Sequence, residues 1–429
     1  MIVILRTIVW LAFLIISSAL SASVFTVNEQ SDAPDTNPGN GICDSSNTIG
    51  FQCTLRAAVM EANALPGADT IVFSQAQLPY TLTIPATGSD DDASGDLNIS
   101  ESVSILGFDG KAAPLPTLRP TIVADNNARI FQVEADNVSI VSLRLTGGFA
   151  DNSGGAIRID NSESVVVDAV EIFENTSTFG GGGIALFGSS AAMSFMDIHT
   201  NQSAGSGGAI MVSLSSDLTL TQSSVWSNLD TSVATPAAIR SVTSSDLALF
   251  NTTVSGNSGT GILASSTLQA RNVTVLGNTG EQIEFSGSTG STLFLRNVVV
   301  IGGCIVTGSP AGTISTNGHN FADSNGCEIE LGSSNVIAAD PELGPLERQA
   351  NEFSSYHIPQ PGSPLIDNGH PVIGGIGCIE QDQRDTSRPI DGDGNGNDRC
   401  DIGSIEAPEP PPADSIFSDR FQVIFGPIR

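Results

Sequence analysis

Residues 165–175 read VVVDAVEIFEN, residues 191–201 read AAMSFMDIHTN and residues 218–228 read LTLTQSSVWSN. Aligned on the final Asn, all three carry an apolar residue three, eight and ten positions earlier. The register extends to seven copies anchored at Gly148, Asn175, Asn201, Asn228, Asn257, Asn278 and Gly303. Three before each anchor stand Leu145, Ile172, Ile198, Val225, Val254, Val275 and Val300. Eight before stand Ile140, Val167, Met193, Leu220, Leu249, Ala270 and Leu295; ten before stand Val138, Val165, Ala191, Leu218, Leu247, Leu268 and Leu293. The anchors lie 27, 26, 27, 29, 21 and 25 residues apart, so loop length varies while the strand pattern holds.

Residues two apart on a strand share a face, so positions minus ten and minus eight point together into an interior, and minus three rejoins them after a bend. One copy is too short to bury that face alone. Stacking the copies buries it and predicts an all-β parallel β-helix, right-handed, with strands about 4.8 Å apart and seven coils spanning roughly 34 Å. Two or three further coils are expected between Leu97 and Val133. The anchor Asn is read as a bend residue that tolerates left-handed dihedrals and whose amide bonds from coil to coil. Gly154-Gly155-Ala156-Ile157, Gly182-Gly183-Ile184 and Gly207-Gly208-Ala209-Ile210 mark a second corner. A missing helix per repeat excludes a leucine-rich horseshoe, and a period near 26 residues excludes a propeller.

Composition agrees with a thin solenoid. The 429 residues include 45 Gly, with 5% aromatic, 14% charged and 40% hydrophobic residues, too few large side chains for several ordinary cores but too much apolar content for disorder. Sixteen basic against 46 acidic residues give a net charge of −30, and Lys111 is the single lysine, so nucleic acid and anionic membranes are poor partners.

Arg6, the apolar run Ile8 to Ile16 and the small residues Ser17 to Ser23 read as a secretory signal peptide over residues 1–22. No later apolar run is long enough for a membrane-spanning helix. Six cysteines form three neighbouring pairs in sequence, Cys43 with Cys53, Cys304 with Cys327 and Cys378 with Cys400; fifteen connectivities are open, and proximity favours this one.

The Gly-Gly-Ala-Ile segments alternating with aliphatic-x-x-Asn resemble the repeats of bacterial polymorphic outer-membrane and adhesin-type β-helix proteins, with Ile or Val here in place of that family's Phe and without its C-terminal barrel. Phe25-Thr-Val-Asn, Cys53-Thr-Leu-Arg-Ala-Ala, Glu61-Ala-Asn-Ala and Gly67-Ala-Asp-Thr-Ile resemble the CSLREA domain that opens many secreted bacterial β-helix proteins, with Thr54 for Ser and Ala57 for Glu. The stretches from Asp340, Pro361, Asp382 and Cys400 resemble the C-terminal part of the same proteins. The resemblance implies fold and an extracellular or surface location, and leaves biochemistry open. From the residues themselves, Thr54 can cap a helix running to about Ala64 whose Leu55, Ala58, Val59 and Ala62 close the solenoid end; Arg56 reads as a structural pairing residue. The division is thus residues 23–95 as an N-terminal cap, 96–338 as β-helix, 339–406 as a disulfide-tethered segment, and 407–429 as a Pro-rich linker and tail.

Two constellations carry chemistry. Asp391, Asp393, Asn395, Asn397 and Asp401 alternate with Gly as a tight loop around Ca²⁺ would, although Ile402 stands where an EF-hand needs its bidentate acid; a solvated turn is the competing reading. No other cofactor is required. Outward positions four and two before the anchors carry Glu171 with Phe173, Asp197 with His199, and Ser224 with Trp226. Paired carboxylates about 5 Å apart suit acid–base work on a glycoside, and flat rings stack on sugars. Neighbouring coils continue with Thr253, Ser255, Thr274 and Leu276, and no Arg or Lys is read beside the pair. The face is therefore expected to be solvated, with glycan contact as the second reading and catalysis last. His319 and His370 read as loop residues. The expectation is a secreted or surface, monomeric, non-catalytic adhesive or structural module meeting a glycan or surface protein. The alternative is a polysaccharide lyase or glycoside hydrolase working through the outward carboxylates.

Overall fold

The structure, a computed structural model, describes residues 22–410 apart from 47–49, 75–78, 88–91, 108–117, 308–312, 330–333 and the single positions 126, 243, 288, 317, 325, 328 and 376. Residues 1–21 of the expected signal peptide and the tail after residue 410 lie outside the described residues.

Parallel strands stack coil on coil in three sheets: one of 20 strands, one of nine and one of four. The registers are those of the repeat. Val165, Ala191, Leu218, Leu247, Leu268 and Leu293 pair in one row. Leu145, Ile172, Ile198, Val225, Val254, Val275 and Val300 pair in another. Both rows are buried in one continuous core running from Phe25 to Ile329. The largest sheet extends beyond the seven copies at its start, where Val24–Val27 pairs with Asp69–Phe73 and that strand with Val103–Leu106.

The corners differ from expectation in one respect. Left-handed dihedrals fall one residue before each anchor, at Gly147, Glu174, Thr200, Ser227, Gly256, Gly277 and Gly302, and again six before, at Ser142, Ala169, Phe195, Gln222, Asn251, Asn272 and Asn297; the anchor Asn residues themselves have negative φ. The anchor works through its side chain. Asn201 donates from Nδ2 to the carbonyls of Ile172 (2.8 Å) and His199 (3.0 Å), while its Oδ1 accepts from the backbone N–H of Asn175 at 3.1 Å. The same pattern links Asn228, Asn257 and Asn278, satisfying N–H groups that the bend takes out of the ladder. A second ladder, of Ser162, Ser189, Ser216 and Ser245, does this at another corner. In the Gly-Gly corners, Gly181 has φ of +62°, and a Cβ on Gly182 would lie 2.2 Å from the Gly208 carbonyl oxygen.

The helix Leu55–Ala64 starts where Thr54 Oγ1 accepts from the N–H of Ala57 at 3.0 Å. Its Leu55, Ala58, Val59 and Ala62 enter the core at the first coil. The disulfides join Cys43 to Cys53, Cys304 to Cys327 and Cys378 to Cys400.

Residues 339–407 settle the outward face. They lie against it and bury Glu171, Asp197, Ser224, Thr253, Ser255 and Thr274, positions expected to be solvated, while Phe173, His199 and Trp226 stay half-buried. Ser355 N–H donates to Ser224 Oγ (2.9 Å), His357 Nε2 lies 2.9 Å from Ser255 Oγ, Thr253 Oγ1 donates to Gln383 Oε1 (2.7 Å) and Ser404 N–H donates to Thr274 Oγ1 (3.0 Å). The left-handed Asn row receives the same segment: Asn251 Nδ2 donates to the Gln381 carbonyl and Asn297 Oδ1 accepts from His370 N–H. Leu365 and Ile402 pack with Val299 and Phe321 beneath it. Short hydroxyl and amide side chains outside the coils are thus a docking surface, because the segment's backbone and its His357 and Gln383 side chains supply their partners.

Candidate functional site

Strand pairing puts Arg144, Glu171, Asp197 and Ser224 in one outward row, with Thr146, Phe173, His199 and Trp226 in the row beside it. The expected juxtaposition of Glu171, Phe173, Asp197, His199 and Trp226 is therefore present, but its chemistry differs from a solvated pair of acids. Glu171 is 4% exposed and Asp197 fully buried. Three arginines surround them, correcting the expectation of no basic partner. Glu171 Oε2 accepts from Arg144 Nε at 2.8 Å and Arg119 Nη2 at 3.2 Å; its Oε1 lies 3.3 Å from His199 Nε2 and 3.6 Å from Arg348 Nη2. Asp197 accepts from Arg348 Nη1 at 2.5 Å, Ser224 Oγ at 2.5 Å and Trp226 Nε1 at 2.7 Å.

Arg144 belongs to the repeat and was legible one coil earlier at the same outward position. Arg119 enters from an earlier coil, and Arg348 from the covering segment, 151 residues after Asp197; no periodic signal points to either.

The rings form a continuous stack. Phe173 and His199 have centroids 5.5 Å apart at 16°, His199 and Trp226 4.5 Å apart at 20°, and the Arg144 guanidinium lies 4.9 Å from the Phe173 centroid. A coil rise close to ring-stacking distance makes such a column natural wherever equivalent positions are aromatic.

Burial pushes Glu171 up, but the His199 hydrogen bond, the Arg119 charge and the Arg144 hydrogen bond and charge outweigh it and hold the carboxyl well below the usual carboxylate range. Burial lowers Arg119 to about 10, which keeps it charged at neutral pH. Because the folded pKa of Glu171 lies below the roughly 4.3 of an unfolded glutamate, its ion pairs contribute fully above that pH and are lost as pH falls. Thermal melts of wild type and Glu171→Gln should therefore converge as pH drops from about 5 to about 2. A gap independent of pH would show that the charge contributes nothing.

The Ca²⁺ candidates are only partly brought together. Carboxylate oxygens of Asp391 and Asp393 lie within 4.8 Å of one another and of Asp367, which the sequence pattern did not suggest. Asp401 turns inward, accepting from the N–H groups of Asp367 (2.8 Å) and Ala407 (2.6 Å), and so leaves the expected set. Asn395 Oδ1 is occupied by Asn397 N–H and Nδ2, which closes the turn on itself. Glu171, Asp197 and His199 also lie within metal-ligand reach of each other, but the arginines already supply their counter-charge. His319 and His370 meet edge to face at 5.2 Å, joining a coil loop to the covering segment.

Among the described residues no helix is long and apolar enough to cross a membrane. Comparison with curated proteins finds no match. A family model described as a right handed beta helix region matches residues 130–299, the coils that carry the outward rows, and the fold is that of an all-β right-handed parallel β-helix.

Proposed function

We propose that this chain is an extracellular, non-catalytic interaction module, a rigid β-helix that meets an acidic glycan through the outward column of Arg144, Phe173, His199 and Trp226. The observation that carries this reading is the state of the two carboxylates. Glycoside hydrolysis needs one carboxyl to hold a proton, which requires a raised pKa. Glu171 is displaced in the opposite direction, and Asp197 has both oxygens engaged by Ser224, Trp226 and Arg348. Both act as fixed counter-ions that orient arginines. Arg144 and Arg348, their side chains about one-third exposed, present guanidinium groups beside flat rings in a chain of net −30. Three disulfides and the resemblance of residues 25–71 to the CSLREA domain support the extracellular placement.

A polysaccharide panel tests this. Binding of a polyuronate without turnover is expected, weakened roughly tenfold in Arg144→Ala or Trp226→Ala. Turnover of any glycan that disappears in a Glu171→Gln, Asp197→Asn double variant would overturn the reading. A Ca²⁺ ion at Asp367, Asp391 and Asp393 is part of the proposal: Ca²⁺ should raise the melting temperature, and less so in Asp391→Asn. Absence of both heat on titration and thermal stabilisation would remove the ion.

A further inference from the structure

Beside the charged cluster, the covering segment leaves a cavity of about 500 Å³ between the bend at Asp168 and Phe195 and two of its own strips, residues 351–354 and 383–386. We propose that this cavity binds a sugar bearing a free, protonated amino group. The inference stands apart from the acidic-glycan reading, since it uses other residues and holds whether or not the outward column binds.

Its apolar wall is the pair Phe195 and Phe353, packed edge to face with centroids 6.1 Å apart. Phe195 occupies the left-handed bend at φ +51°, where the equivalent residues are Ser142, Ala169, Gln222, Asn251, Asn272 and Asn297. A large ring is the exception at this position and is unfavourable there for a side chain of its bulk. Phe353 is held from outside the cavity by the Arg119 guanidinium, 5.4 Å from its centroid. The polar wall is equally fixed. Gln383 is buried, donating to Ser354 Oγ (3.0 Å) and the Ser355 carbonyl (2.8 Å) while accepting from Thr253. Two rigid walls of this kind form a site before any ligand arrives.

Charge selects the ligand class. Asp168, Glu352 and Asp385 line the cavity, each with one oxygen engaged: Asp168 Oδ1 by Ser194, Glu352 Oε2 by Tyr356 and Gln349, and Asp385 Oδ1 by Gln222. The one lining cation, Arg384, is committed to Asp382 at 2.9 Å and to the Glu406 carbonyl at 2.6 Å. The lining therefore favours a positive group, which the phenyl faces also attract, while the apolar face of a pyranose can lie on the rings. A uronate would meet three carboxylates.

Calorimetric titration of the full chain with a glucosamine trisaccharide, its N-acetylated counterpart, a galacturonate trisaccharide and a lysine trimer tests the proposal. The glucosamine trimer should bind, the N-acetylated form roughly tenfold more weakly and the uronate not at all. Phe195→Ala and the exposed Asp385→Asn should each weaken glucosamine binding several-fold, the latter with the melting curve unchanged. Asp385→Asn guards against a Phe195→Ala variant that fails to fold, because Asn tolerates the left-handed dihedral at that position. Equal binding of the acetylated trimer would overturn amine recognition. Lysine trimer binding as tightly would overturn the sugar, and binding unaffected by either substitution would overturn the site.

Discussion

Arg56→Met is expected to unfold the N-terminal end of the solenoid at a cost of about 3–5 kcal/mol, the range for removing one partner of a buried ion pair. Arg56 and Asp32 are fully buried as a pair, with Nε to Oδ1 at 2.6 Å and Nη2 to Oδ2 at 3.1 Å. The guanidinium also donates to the carbonyls of Asp92 (3.0 Å) and Gly95 (2.8 Å), tying the helix to residues some 36 to 40 positions later. Asp32 Oδ2 in turn accepts from the N–H groups of Thr83 and Ile84 at 2.8 Å. Methionine fills much of the volume but leaves a charge and several acceptors without their partner. Since each coil contacts mainly its neighbours, the loss should be local. Hydrogen exchange should show faster exchange over residues 22–107 and little change beyond Asn201. Uniform loss of protection along the chain, or none, would refute the assignment of Arg56 as the clamp of the cap.

Asn228→Leu should have an effect of similar size in the middle of the stack. Asn228 Oδ1 accepts from the Asn201 N–H and Nδ2 at 3.0 Å each, and its Nδ2 donates to the carbonyls of Ile198 (2.9 Å) and Trp226 (3.0 Å). Leucine is nearly isosteric with Asn, so packing changes little while these buried groups lose their partner. At about 1–3 kcal/mol per unsatisfied group, a loss of about 2–5 kcal/mol follows. Chemical denaturation should show it, and exchange of the Asn201 amide should report it directly. A variant as stable as wild type would mean that the ladder is decorative.

Both substitutions strike features that were visible to very different degrees before the structure. Thr54, Leu55 and the end of the helix near Ala64 follow from capping and from an apolar face, both local properties. The pairing of Arg56 with Asp32 does not, because 24 residues of irregular loop separate them. The Asn ladder was legible as a ladder, since a polar residue recurring at one coil position must meet its own copies. Its backbone conformation was misread: the strain of the turn falls on the preceding residue, freeing Asn to point inward. In the candidate site, Glu171, Phe173, Asp197, His199 and Trp226 were found from the repeat, and Arg144 could have been found by extending the row one coil. Arg119 and Arg348 lie outside the periodic register, as does Asp367 beside Asp391 and Asp393.

The sequence by itself therefore determined the coil register, the inward rows, the disulfide partners by proximity and the capping helix. Every coil must bury the same positions against its neighbours, so the inward requirement is written repeatedly and can be read by alignment of the chain with itself. The tertiary structure decided what the outward rows face. Residues 339–407 carry no period, and their course over the coils is set by single matches such as Ser355 with Ser224, Ser404 with Thr274 and Arg348 with Asp197. Each match joins residues more than 100 positions apart and occurs once, so no recurrence announces it. That one docking event turns a solvated pair of carboxylates into buried counter-ions.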